Sequence, residues 1–152
     1  MHQNQVIFWT SSPLLVREIA GLRKERERRT NVKVVYVCSP YRGTQEEVRD
    51  HVALAMRISR KAVMEGYAVI CPHLLYPLFL RDDVDKERKM GMKAGLKLLE
   101  LADEVWVADG EISTGMAMEI ARAGQLGIPM KCVCDPAAAE EHLMNAVLSG
   151  KE

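Results

Sequence analysis

A long apolar run is the first thing this sequence lacks. Stretches such as Tyr67 to Cys71 and Leu74 to Leu80 fall far short of the roughly 20 residues a membrane helix needs, and Pro72 and Pro77 interrupt the region further. No membrane partner is expected. Charge of one sign is missing too, because 21 Lys+Arg balance 21 Asp+Glu for a formal net charge of +0. Nothing therefore draws the whole molecule toward polymeric nucleic acid, and any anion it binds must be held by a local site. A secretory pattern is absent as well: Gln3, Asn4 and Gln5 precede only a short apolar run, with no basic region. A cytoplasmic location is the expectation.

Cysteines at CxxC spacing are also absent, which removes the ligand pattern of a structural zinc site. The four cysteines, Cys38, Cys71, Cys132 and Cys134, lie at or near the ends of apolar strand-like runs and read as core thiols. Cys132 and Cys134, two apart on a strand, share a face, but no nearby histidine supports a metal or redox pair. No metal is expected. Neither the GxGxxG fingerprint nor a P-loop lysine occurs, which weakens dinucleotide binding and ATP hydrolysis. There is no internal repeat and no low-complexity linker.

What is present reads as one compact domain. The chain has 152 residues, 48% hydrophobic and 28% charged, near the averages for soluble globular proteins. Val32 to Cys38 is a nearly continuous β-branched and aromatic run, as expected of a parallel strand covered on both faces. Thr44 to Glu47 fits a capping box, and apolar positions continue at helical spacing to Gly66. A second strand is expected at Tyr67 to Cys71, followed by a loop from Pro72 to Pro77 too proline-broken for regular structure. A helix should start near Asp82, Asp83 and Asp85 and run to Leu101, before a third strand at Glu104 to Ala108. Ser113 to Leu126 reads as a helix closed by Gly127, Ile128 to Val133 as a fourth strand, and Asp135-Pro136 as the opening of a last helix through Leu148.

This alternation predicts an α/β fold: a doubly wound, Rossmann-like or flavodoxin-like parallel sheet of four to five strands flanked by helices. Residues 33–152 would form that domain. Residues 1–32 would be an N-terminal extension, with a candidate edge strand at Val6 to Trp9 and a helix ending in the mixed-charge run Arg23 to Arg29.

Ligands of such sheets bind beyond the carboxyl ends of the strands. Three loops lie there. Ser39-Pro40-Tyr41-Arg42-Gly43 joins a strand end to a helix start, where free N–H groups and an arginine suit a phosphate or carboxylate, or form only a tight turn. Asp109 to Gly115 leads into a Met- and Ala-rich helix in which Glu119 is the sole charge between Ser113 and Ala121. That carboxylate is either half-buried beside a cleft or an exposed partner of Arg122 three positions on, and Ser113 and Thr114 are either ligands or helix caps. In the third loop, His73 and Tyr76 face a planar base or sugar, or pack as core. His2, His51 and His142 have no companions at metal or triad spacing.

Val35 to Gly43, the Cys71-Pro72-His73 loop, Ala102 to Val107 and Ser113 to Ala121 together resemble the nucleoside 2-deoxyribosyltransferase superfamily over about residues 33 to 133. The likeness is greatest to a phage and bacterial branch carrying Ser-Pro-Tyr-Arg-Gly, and next to the deoxynucleoside 5′-monophosphate N-glycosidases. The resemblance implies that Glu119 attacks the anomeric carbon of a deoxyribose and displaces the base, forming a glycosyl-enzyme ester, without cofactor. Tyr36 or Tyr41 would supply a hydroxyl to that carboxylate. The N-glycosidases hold the 5′-phosphate with a loop matching Ser39 to Gly43 and a serine matching Ser113, which makes Arg42 the favoured anion ligand and places Tyr41, His73 and Gly115 around the substrate. The acid that those enzymes place eight positions before the aspartate matching Asp103 falls here on Gly95. Asp109, or one of Asp82, Asp83 and Asp85, is left to protonate the leaving base. The rival expectation is a non-catalytic nucleotide-binding module using the same cleft. A homo-oligomer is also expected, because Leu74 to Leu80 and Val6 to Trp9 are hard for one subunit to cover together.

Overall fold

The computed structural model describes residues 32–138. The candidate edge strand at Val6 to Trp9, the charged run to Arg29 and all but the opening of the helix expected through Leu148 lie outside the described residues.

Strand β1, Val34–Cys38, is the axis of the molecule. Its alternation divides the core in two. Val35 and Val37 point to one face of the sheet and pack with Ile58, Ala62 and Trp106, while Tyr36 and Cys38 point to the other and pack with Leu99, Met116 and Ala123. Helix α1, Gln45–Met64, supplies Ile58 and Ala62 to the first face. Its start follows from Thr44, whose Oγ1 accepts from the Glu47 N–H at 3.3 Å while Glu47 Oε2 accepts from the Thr44 N–H at 2.6 Å. Gly43 is required just before it, since a Cβ there would lie 2.5 Å from Glu47 Oε2 and 2.6 Å from Glu47 Cβ.

Strand β2, Ala68–Ile70, pairs parallel with one side of β1. The segment after it is helical, contrary to the irregular loop expected of Pro72 to Pro77. Helix α2, Pro72–Leu75, runs into a 3₁₀ turn at Tyr76–Leu78. Both prolines fall in first-turn positions, where the missing N–H has no partner to lose and the fixed φ suits the turn, so they start helical structure and do not break it.

Helix α3, Asp85–Leu99, carries Asp85 and Glu87 in its first turn and Lys97 in its last, in line with its dipole. Strand β3, Glu104–Ala108, pairs parallel with the free side of β1. Helix α4, Thr114–Leu126, is capped by Ser113 Oγ accepting from the Met116 N–H at 3.3 Å and closes on Gly127 at φ 67, a left-handed conformation that favours glycine. Strand β4, Met130–Val133, pairs parallel with β3.

The sheet order is therefore β2-β1-β3-β4, all parallel, with α1 on one face and α3 and α4 on the other. This is the doubly wound fold expected, in its flavodoxin-like order. The cysteines divide. Cys38 is buried and Cys71 half-buried, but Cys132 and Cys134 are exposed because β4 is the outermost described strand, so these two are not core thiols. Among the described residues no helix is long and apolar enough to cross a membrane.

Candidate functional site

The chain leaves β1 toward β2 on one side and enters β3 on the other, which opens a crevice beyond the carboxyl ends of β1 and β3. A cavity of about 400 Å³ occupies it, walled by the loop after β1, by α2, by one side of α3 and by the start of α4.

Glu119 is at its floor. The residue is 9% exposed, and the Tyr36 hydroxyl donates to its Oε1 at 2.8 Å. Its second oxygen, Oε2, is buried with no hydrogen-bond partner among the described residues. The two groups lie 83 residues apart in sequence and meet because Tyr36 points off β1 toward the face that α4 covers. Burial, and then the Glu119 charge, push the Tyr36 phenol far above its ordinary range, so that it remains a donor at all working pH. The same two causes push the Cys38 thiol up and leave it an inert neighbour. Arg122 does not pair with Glu119; its Nη2 reaches Glu100 Oε1 at 2.7 Å.

The rest of the wall combines aromatic and charged groups. The Tyr41 and His73 rings lie 5.5 Å apart at 30°, a tilted pair at one side of the cavity. Burial lowers the His73 pKa from its ordinary value of 6.5, against the charges of Glu119 and Asp82 and the Ser39 backbone, which raise it; His51 adds to the lowering. The folded protein therefore takes up this proton later than the unfolded chain, and stability falls as pH drops from about 6.5 toward the folded pKa. His73→Gln is expected to flatten that part of the profile, with Tm falling less between pH 7 and the folded His73 pKa than in the wild type. An unchanged slope in thermal scans would show that His73 does not carry the dependence.

Two guanidinium groups of the wall share one carboxylate: Arg42 Nε is 3.2 Å from Asp82 Oδ2, and Arg88 Nη1 is 3.7 Å from the same oxygen.

The structure thus brings Glu119, Tyr41, Arg42, His73, Ser113 and Gly115 to one cavity, with Tyr36 directly behind Glu119. Ser113 is both cap and wall. Ser39 is fully buried, and neither it nor Gly43 lines the cavity. Asp109 does not line it either. Its N–H bonds Val133 at the β4 side, and its carboxylate receives the thiols of Cys132 and Cys134, each at 3.7 Å. Of Asp82, Asp83 and Asp85, Asp82 alone lines the cavity. A Cβ on Gly95 would stand 3.4 Å from the Tyr36 hydroxyl, so this position borders the Glu119–Tyr36 pair. Arg88 was not foreseen, because a charged residue in the first turn of a charged helix reads as solvated. Among the described residues no three of His, Cys, Asp and Glu come together as a metal ion would require.

A four-stranded parallel sheet with a cavity at its switch point, floored by a buried carboxylate, defines an α/β doubly wound fold. Residues 33–133 match a family described as a domain of unknown function (DUF7768), and the chain belongs to that family. No curated protein matches it. Among solved structures it is similar to the 2-deoxyribosyltransferase from the psychrotolerant bacterium Bacillus psychrosaccharolyticus, with TM-score 0.51 and 24% identity over 66% of this chain and 72% of that one. The likeness establishes a shared fold.

Proposed function

We propose that the protein cleaves or transfers the N-glycosidic bond of a deoxynucleoside or its 5′-monophosphate, with Glu119 as nucleophile. The observation that carries this reading is the buried carboxylate itself, held at Oε1 by Tyr36 and free at Oε2, on the floor of a cavity large enough for a nucleoside. In the first step Oε2 bonds to the anomeric carbon as the bond from that carbon to the base breaks, its electron pair leaving with the base. Water, or a second base, then takes the sugar from the ester. Tyr41 and His73 offer ring faces to a planar base, and Arg42 offers charge to a phosphate. The structural relative is a 2-deoxyribosyltransferase, which supports the same chemistry here. The domain proposed to do this is residues 33–152, with 1–32 an extension to it, in a soluble cytoplasmic protein.

The test is to incubate the protein with the deoxynucleosides and their monophosphates and follow free base by chromatography. Base release supports the enzyme; tight binding without release supports a nucleotide-binding module. That second reading has one observation of its own, the glycine at position 95 where an acid would border the Glu119–Tyr36 pair.

Two further outcomes are expected. Arg42→Ala should weaken monophosphate binding by about 1.5–3 kcal/mol and nucleoside binding far less, as for a lost charge-assisted contact, measured by calorimetry on both ligands. Equal losses would make Arg42 structural. The protein should also self-associate through Leu75, Leu78 and Phe79, which are exposed beside the cavity wall. Light scattering that gives the monomer mass at every concentration would defeat this.

A further inference from the structure

The charged end of the cavity contains a carboxylate of its own. Asp82 Oδ2 faces Arg42 Nε at 3.2 Å and Arg88 Nη1 at 3.7 Å, so one oxygen bridges two guanidinium groups from distant parts of the chain. All three side chains line the cavity. The bridge is unequal. Arg42 is 64% exposed, whereas Arg88 is 21% exposed and its Nη1 is fully buried with no hydrogen-bond acceptor among the described residues. At 3.7 Å Asp82 attracts that nitrogen without bonding it. A buried guanidinium N–H without an acceptor is costly, which marks a place for another oxygen. Within this trio two guanidinium groups face a single carboxylate, although Arg81, Glu87, Glu111 and Glu119 line the cavity too, and a phosphate monoester brings about −1.5 to −2 charges and three oxygens near neutral pH.

We propose that Asp82 is an internal stand-in for the substrate's phosphate. Arg42 and Arg88 form a two-armed clamp for the 5′-phosphate of a nucleoside monophosphate, and Asp82 holds the arms together until that phosphate displaces it. The inference rests on the proposed function for the kind of molecule the cavity takes, and adds what decides between nucleoside and nucleotide. Asp82 is 37% exposed, between the 3₁₀ turn and α3, so its carboxylate can turn to water when it leaves the arms. Its neighbours do not compete for the clamp: Arg81 and Asp83 pair with each other at 2.9 Å, and Glu87 accepts from the Arg81 N–H at 2.7 Å. A neutral nucleoside leaves Asp82 where it is and gains nothing from Arg88.

The experiment is calorimetric titration of the wild type, Asp82→Asn, Arg88→Gln and the double variant with each deoxynucleoside 5′-monophosphate, the parent nucleosides and inorganic phosphate. Asp82→Asn should tighten monophosphate binding by about tenfold and change nucleoside binding by less than about twofold. Arg88→Gln should weaken monophosphate binding by about tenfold and cancel most of the gain from Asp82→Asn in the double variant. If Arg88→Gln does not fold, Arg88→Lys, which keeps the charge without the buried Nη1, should show the same loss. Weaker or unchanged monophosphate binding in Asp82→Asn overturns the proposal, as does an equal change for nucleosides. An effect on inorganic phosphate with none on any monophosphate also overturns it, because the clamp would then serve a free anion. Base release is a separate readout: a tighter monophosphate in a protein that never releases base keeps the clamp and removes the enzyme, and the reverse outcome does the opposite.

Discussion

Glu119→Gln is expected to reduce base release by at least about 10³-fold while changing ligand affinity little, because in the proposed function the carboxylate contributes as a nucleophile in the transition state and not as a binding group. The substitution is nearly isosteric. The amide oxygen can still accept from Tyr36, and the –NH₂ takes the place of Oε2, which has no hydrogen-bond partner among the described residues. Removing a buried charge that only one hydrogen bond holds should not lower Tm, and the variant therefore separates chemistry from folding. Turnover is read by chromatography of the free base, affinity by calorimetry, and the glycosyl-enzyme ester by intact mass after acid quench. Unchanged turnover removes Glu119 from catalysis, and an equal loss of affinity and rate makes it a binding group.

How much of this was legible in the sequence depended on whether the signal was local. β1 was readable because a strand covered on both faces must be apolar at consecutive positions, and Val34–Cys38 are. The ends of α1 and α4 were readable because Thr44, Glu47, Ser113 and Gly127 act within one turn of the helix they bound. Pro72 to Pro77 misled because proline terminates a helix only from its interior, and the pattern around these two does not say which position they take. Glu119 drew attention as the one charge in an apolar helix, but whether it met Arg122 or Tyr36 depended on which face α4 buries. Asp109 looked like a cleft residue because it follows β3. The register that pairs Ala108 with Val133 carries it toward β4 and away from the crevice beside β1. Arg88 was invisible for the opposite reason, and Asp82 was named only among the candidate acids, since what brings them together is Arg42 arriving from another loop.

Tyr36→Phe is the second substitution with a large expected effect, and it tests whether the tyrosine acts through Glu119. Phenylalanine keeps the ring that packs with Cys38, Leu99 and Met116, so the core should not open a cavity. The change removes the hydrogen bond at 2.8 Å to Glu119 Oε1 and leaves a buried carboxylate with neither oxygen bonded. Loss of a hydrogen bond to a charged group costs about 1.5–3 kcal/mol, which should appear as a lower denaturant midpoint without a change in m. Base release should fall by about 10²-fold, because the proposed nucleophile, no longer held by Tyr36, must be reoriented in each turnover. The decisive comparison is the same substitution made in Glu119→Gln. With a neutral acceptor in place of the carboxylate, Tyr36→Phe should cost only about 0.5–1.5 kcal/mol, so the two changes together cost less than their sum. Strictly additive stability losses would mean that the tyrosine supports the fold independently of Glu119, and that the carboxylate is held in place by the packing of α4 alone.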